Sequence, residues 1–197
     1  LKTDCRSKND LENSIEKVVK KYNFIHGAIH AAYPKSNKWG ESFEEIDFNR
    51  LSEDLSSQLG SAIIFSSLIF KIFKKQGFGS LIHISSIQGV NAPKFEHYKG
   101  TNMTSPIEYS AIKAGIISVT KWLAKYSFNL GFRVNCVSPG GIFDNQDRNF
   151  LKKYKKDCSN IGMLSPTHVT GIIIFLLSDK SDAINGQNII VDDGWSL

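Results

Sequence analysis

The run Tyr109-Ser110-Ala111-Ile112-Lys113 lies in a segment that reads as a helix, roughly Pro106 to Leu130, with Gly131 as its C-terminal stop. On a helix, Tyr109 and Lys113 stand at i and i+4, so both side chains project from one face. A nearby ammonium favours the phenolate and lowers a phenol pKa that starts near ~10. A tyrosine tuned in this way can pass a proton to or from a substrate oxygen at neutral pH. Taken alone, Tyr-x-x-x-Lys is also what a solvated surface pair looks like. The elements on either side give it weight.

Upstream, a strand over Ser80–Ser85 ends in Ile84-Ser85-Ser86-Ile87-Gln88-Gly89, which sets hydroxyls at its carboxyl end. That edge of a doubly wound sheet is where ligands bind. Downstream, Arg133-Val134-Asn135-Cys136-Val137-Ser138-Pro139-Gly140-Gly141-Ile142 is a second strand, halted at the same rim by a tight turn. A third apolar run, Phe24 to Ala32, ends at Tyr33-Pro34 and reads as a buried strand. The last strand, Gln187 to Val191, closes through Asp192-Asp193-Gly194.

Helical segments alternate with these strands. Asn9 and Glu12 have the form of a capping box, followed by an apolar stripe of Leu11, Ile15, Val18, Val19 and Tyr22. A long helix runs from Phe48 to Gln76, and shorter ones lie near 147–157 and 166–178. Residues 35–45 and about 88–105 read as irregular. Strands alternating with helices of this length predict an α/β fold, a parallel, doubly wound sheet.

The chain has 197 residues, 41% hydrophobic and 22% charged, which suits one domain with a sizeable core. Its 24 basic and 19 acidic side chains leave a net charge of +5, a mild attraction for anionic partners. No zinc finger or RNA-binding signature accompanies that charge, so the expected partner is a small molecule, with no nucleic acid. The apolar run 61–73 is broken by serines and Lys71, and 171–177 is too short for a bilayer, so no membrane partner is expected. Cys5, Cys136 and Cys158 form neither a metal-ligand pair nor a disulfide framework, which points to a reducing, cytoplasmic setting and no metal.

The serine-bearing strand end, the Tyr109/Lys113 helix, the Pro139-Gly140-Gly141-Ile142 turn and Ile184-Asn185-Gly186-Gln187-Asn188-Ile189-Ile190-Val191-Asp192-Asp193-Gly194 come in one order. In that order they closely resemble the short-chain dehydrogenase/reductase family, from Thr3 onward. The resemblance implies a Rossmann-like domain over 1–197, NAD or NADP as cofactor, and hydride transfer between a carbonyl and an alcohol. It puts the substrate-oxygen hydrogen bond on Ser86, preferred to Ser85 because Ser86 stands three residues before Gly89. It makes Tyr109 the acid/base and Lys113 the ribose anchor that also lowers the tyrosine pKa. Pro139, Gly140 and Ile142 would lie along the nicotinamide, with Ala32 and Asp4 on the adenosine side. A homodimer or homotetramer built on the two long helices and the C-terminal strand is also implied, Tyr126, Phe128 and Leu130 being compatible with it.

The sequence departs from the family pattern at several points. No strand is followed by a glycine-rich turn at a helix N-terminus, the usual pyrophosphate cradle. Gly77-Phe78-Gly79 precedes a strand, and Thr3-Asp4-Cys5 looks like the loop after the family's third strand. The chain is therefore expected to be a partial domain that lacks the first strands. Ile29-His30-Ala31-Ala32 replaces the usual Asn-Asn-Ala-Gly, and His30 either meets adenosine or is satisfied locally. The family's helical relay asparagine aligns near Ser56. The segment Pro93–Thr104 is longer than usual, either a surface loop or an insert that shapes the substrate site. This insert and the Gly141–Gln146 and C-terminal stretches look like members of bacterial surface-sugar and flagellin-glycan biosynthesis. Lys152, Lys153, Lys155 and Lys156 either meet substrate phosphates or form a solvated helix face. The rival class is an inactive subunit that keeps the fold for assembly.

Overall fold

A computed structural model describes residues 1–37 and 39–197, and in it four strands form one parallel sheet in the order β1-β2-β3-β4. The strands are β1 Gly27–His30, β2 Gly79–Ile84, β3 Phe132–Pro139 and β4 Asn188–Val191. Ala28 pairs with Leu81, Leu81 with Val134, and Val137 with Ile189. Helices α1 Lys8–Tyr22, α2 Phe48–Leu55, α3 Ser61–Gln76, α4 Ile107–Tyr126, α5 Arg148–Lys156 and α6 Thr167–Leu177 supply the connections.

The two central strands bury both faces, which is why their sequences lack a polar/apolar alternation. Leu81 and Val134 turn to one side and pack with Ile69 and Phe73 of α3 and Leu123 of α4. Ile82 and Val137 turn to the other and pack with Val169 and Leu176 of α6. The expected doubly wound α/β architecture is thus present. No strand pairs with the outer side of β1 among the described residues, and Ile29 on that strand is 42% exposed.

Several boundaries differ from the sequence-based expectation, each for a local reason. The first helix is capped by Ser7, whose Oγ accepts from Asp10 N at 3.2 Å, rather than by Asn9. The strand expected over Phe24–Ala32 pairs only over Gly27–His30. The long helix Phe48–Gln76 is continuous but contains a π-turn at Ser56–Gly60, which periodicity does not register. By length and hydropathy alone it reaches membrane-spanning size, yet Ala62, Ile69 and Phe73 pack against the fold's own core. Gly131 is not the stop of α4, which ends at Tyr126. It sits beyond, at φ 79°, where an added Cβ would lie 2.2 Å from Gly77 O, so only glycine lets the two loops meet.

One polar chain crosses the core. His83 on β2 is fully buried, with Nε2 2.7 Å from Ser66 Oγ on α3 and Nδ1 2.8 Å from Thr120 Oγ1 on α4. His30 on β1 is also buried, 3.5 Å from Ser61 Oγ and against Phe65, so it is satisfied locally. Burial pushes His30 down to about 4 and His83 to about 3. Below pH ~6.5 the unfolded chain therefore binds more protons than the folded one. Stability from this source is full above that pH and is lost as pH falls through the folded values. Urea unfolding midpoints should accordingly fall between about pH 7 and pH 4, and less steeply in His83→Gln. An equal slope in the variant would remove His83 as the cause.

Candidate active site

Strand β2 runs out at Ile84, and the chain turns through Ser85 and Ser86 into a 3-10 turn, Ile87–Gly89. This turn lies directly on the backbone of α4. A Cβ on Gly89 would stand 2.7 Å from Lys113 C and 2.8 Å from Lys113 O, so nothing larger than glycine fits. Ser85 Oγ donates to Lys113 O at 2.7 Å, the ordinary use of a buried strand hydroxyl. Ser86 Oγ accepts from Gln88 N at 3.2 Å, and its hydroxyl acts on the Tyr109 phenol by lowering its pKa. Lys113 Nζ donates to Ile84 O at 3.2 Å and stands 5.5 Å from the Tyr109 ring centroid. The side chains of Ser86, Tyr109 and Lys113 thus line one cavity of about 620 Å³, a size that suits a small ligand.

The electrostatics of the pair differ from the sequence-based expectation. Burial pushes the Tyr109 phenol up, the Ser86 hydrogen bond draws it part of the way back, and Lys113 does not figure among the groups that move it. Tyr33 and Trp39 set their rings edge-on to Tyr109, at 5.6 and 6.3 Å between centroids, and keep it in an apolar surround. The same surround holds Lys113 down to about 8, because burial disfavours the ammonium. The sequence reading missed both rings. The only hint was their position, just past the carboxyl end of β1.

Pro139, Gly140, Gly141 and Ile142 line the same cavity at the end of β3. Gly140 N donates to Val191 O at 2.8 Å, and Gly141 N to the Tyr154 hydroxyl at 2.6 Å, so α5 and β4 hold the turn. From β1 it is Ala31, not Ala32, that reaches the cavity. Asp4 lies elsewhere, in a shallow depression with Ser56 and Ser57. Its carboxylate binds Arg6 through Nε at 3.0 Å and Nη2 at 2.9 Å, which holds it down at about 2.

Ser56 is exposed and donates to Glu53 O at 3.1 Å, so a relay through it has no geometric support. Two residues on, within the π-turn, Gln58 is 2% exposed and neither amide atom has a partner. The register shift of the π-turn hides this from a sequence reading.

The segment Pro93–Thr104 is a wall of the cavity rather than a surface loop. Tyr98 and Met103 pack against Ile87, Phe150, Tyr154 and Trp195, while His97 is buried among them. Of the lysines of α5, Lys153 ties that wall down, and Lys155 holds the turn that follows the helix. Lys153 Nζ donates to Glu96 O at 3.0 Å and Lys99 O at 2.6 Å, and Lys155 Nζ to Asn160 O and Ile161 O. Lys152, Lys155 and Lys156 are exposed, as the solvated-face alternative expects, while Lys153 is half-buried against the insert.

Comparisons with known proteins agree with this geometry. The profile of the enoyl-(acyl carrier protein) reductase family matches residues 1–196. The chain is 45% identical to post-translational flagellin modification protein A of Campylobacter coli, over all of this chain and 77% of that protein. Its fold superposes on a short-chain dehydrogenase from Leptospira borgpetersenii with bound NAD+. The TM-score is 0.90 at 29% identity, covering 100% of this chain and 75% of that one. A gluconate 5-dehydrogenase from Burkholderia cenocepacia, in complex with NADP and tartrate, shares the fold at TM-score 0.85 and 18% identity, over 98% of this chain and 73% of that one.

The Gly89 contact makes a direct prediction. Gly89→Ala should lower stability by ~1–3 kcal/mol through overpacking. Urea denaturation measures that loss, and a variant as stable as the parent would mean that the turn does not rest on α4.

Proposed function

Because this chain belongs to the short-chain dehydrogenase/reductase family of NAD(P)-dependent oxidoreductases, we propose that it interconverts a carbonyl and an alcohol on a sugar or nucleotide-sugar. Tyr109 acts as the acid/base, Ser86 hydrogen-bonds the substrate oxygen, and Lys113 anchors the cofactor ribose. The observation that carries this reading is the convergence of Ser86, Tyr109 and Lys113 on one cavity with the Pro139–Ile142 turn. The flagellin-modification relative and the polar and aromatic cavity lining support a carbohydrate substrate.

The residues fit the nicotinamide-ribose half of NAD or NADP. An ammonium has three donors, and Lys113 uses one on Ile84 O, which leaves the others for ribose hydroxyls. The Pro139-Gly140-Gly141 backbone and Ile142 flank the same space. Ala32 and Asp4 are assigned to the adenosine side. Among the described residues no strand leads into a glycine-rich helix start, so no residue is assigned to the diphosphate. Nicotinamide supplies or accepts the hydride.

The chain's own groups handle the proton. With its pKa raised by burial, Tyr109 holds its proton at neutral pH and donates it to an oxygen that gains charge as a carbonyl is reduced. Ser86 donates a second hydrogen bond to that oxygen and keeps it in line with the phenol. Tyr33 and Trp39 shield the exchange from bulk water. In the oxidative direction Tyr109 must first lose its proton, and the phenolate then accepts the proton of the alcohol while Ser86 keeps its hydrogen bond to the same oxygen.

Self-association is inferred through the face of α3 and α4. Trp122 stacks on Tyr126 at 4.7 Å, and Trp122, Tyr126 and Phe128 are all more than 60% exposed, whereas Leu130 belongs to the core. A second copy of the chain is the partner assigned to that face. Three unpaired cysteines favour a reducing, cytoplasmic location.

Tyr109→Phe should lower kcat by ~10²-fold or more, followed as NAD(P)H absorbance over a panel of sugars, while calorimetry finds cofactor affinity unchanged. Retained turnover in that variant would sink the acid/base role. Absence of nicotinamide-nucleotide binding by the parent would sink the enzyme reading altogether.

A further inference from the structure

His97, from the insert, and Trp195, near the C-terminus, both line the catalytic cavity, and each is less than 5% exposed. Each also carries a buried nitrogen without a hydrogen-bond partner among the described residues, His97 Nδ1 and Trp195 Nε1. A buried polar group left unsatisfied costs ~1–3 kcal/mol, so two on one cavity wall call for a reason.

Loose packing is not that reason. His97 Nε2 is held 2.6 Å from Asp157 Oδ2, and its ring meets Tyr154 and Phe150 at 5.7 and 6.0 Å. Trp195 stacks on Tyr154 at 5.8 Å, and Lys94 Nζ stands 4.7 Å from the Trp195 ring centroid and donates to its carbonyl at 3.3 Å. The two rings are edge-on to one another, 6.1 Å apart. Both nitrogens are therefore fixed in place.

Their chemistry is complementary. With Nε2–H donated to Asp157, the imidazole offers Nδ1 as an acceptor, whereas indole Nε1 can only donate. A donor and an acceptor on neighbouring rings, whose centroids are 6.1 Å apart, match a hydroxyl, which does both. They match an anion or a hydrocarbon poorly. We propose that His97 and Trp195 form a hydroxyl-binding subsite on the cavity wall that selects a polyhydroxylated substrate by an oxygen away from the reacting carbon. Asp157 is a positioning residue for the imidazole. The proposal rests on the reading that this cavity receives the substrate, and it deepens that reading by naming the recognition groups.

The test is an NMR titration of the full chain, labelled with 15N, by D-glucose and by cyclohexanol as the mono-hydroxyl control. The chain has three tryptophans, and the Trp195 indole signal is the one lost in Trp195→Phe, a change that keeps an aromatic ring. D-glucose should move the Trp195 signal and cyclohexanol should not, with exposed Trp122 unmoved by either. Read on the Trp39 indole, Trp195→Phe and His97→Phe should each weaken D-glucose binding by ~5-fold or more, one ordinary hydrogen bond. Thermal melts confirm that each variant is folded, and Asp157→Asn, which leaves both rings intact, should weaken binding in the same direction.

A Trp195 signal unmoved by D-glucose, or moved equally by cyclohexanol, overturns the subsite. So does unchanged affinity in the folded variants. If that happens while Tyr109→Phe still abolishes turnover, only the subsite falls. If Tyr109→Phe keeps turnover while D-glucose still moves Trp195, the acid/base role falls and the subsite stands.

Discussion

The close approach of the Ile87–Gly89 turn to the backbone of α4 organises this structure. A strand end and a helix cannot share hydroxyl and phenol chemistry unless their main chains come within a side chain's reach. Gly89 permits that approach because it has no Cβ to meet Lys113, and Ser85 ties the strand to the same carbonyl. Ser86 is then delivered to Tyr109, and Lys113 reaches back to Ile84 O. The contact also ties the sheet rim to α4, so site and core are set by one junction.

Burial at that junction has opposite effects on its two titrating groups. It penalises the phenolate and raises Tyr109, and it penalises the ammonium and brings Lys113 to about 8. The two groups therefore move apart on the pH scale, the phenol further above neutrality and the ammonium towards it. That leaves the phenol protonated at neutral pH and brings Lys113 into a range where a ligand's own charge can shift it. The aromatic rings of Tyr33 and Trp39 add to this by keeping water from the phenol.

The opposite wall is built differently. The insert, α5 and the C-terminus meet in an aromatic cluster of Tyr98, Phe150, Tyr154 and Trp195, tied by Lys153 to insert carbonyls. The C-terminal turn is held in turn by Asp193, whose carboxylate accepts from the amides of Asn160, Ile161 and Gly162. Ser86, Tyr109 and Lys113 thus sit on a strand end and a helix, whereas the facing wall is made of segments joined by side chains. Such a division lets one scaffold take different substrates.

Sequence alone determined the α/β class, the alternation of strands and helices, and the residues Ser86, Tyr109, Lys113 and Pro139–Ile142. The fold class depends on short-range periodicity and turn chemistry, which lie along the chain and can be counted, whereas the site residues came from the resemblance of their order to a family's motifs. It also set Ser85 apart as a strand hydroxyl, which its bond to Lys113 O bears out. Only the tertiary structure decided that Tyr109 is raised rather than lowered, because desolvation depends on what surrounds a group and not on its spacing. Only there did the π-turn bring Gln58 inward in place of Ser56, the insert become a wall, and His97 meet Asp157 across sixty residues of chain. Contacts between distant segments are fixed by packing, and packing is a property of the assembled fold.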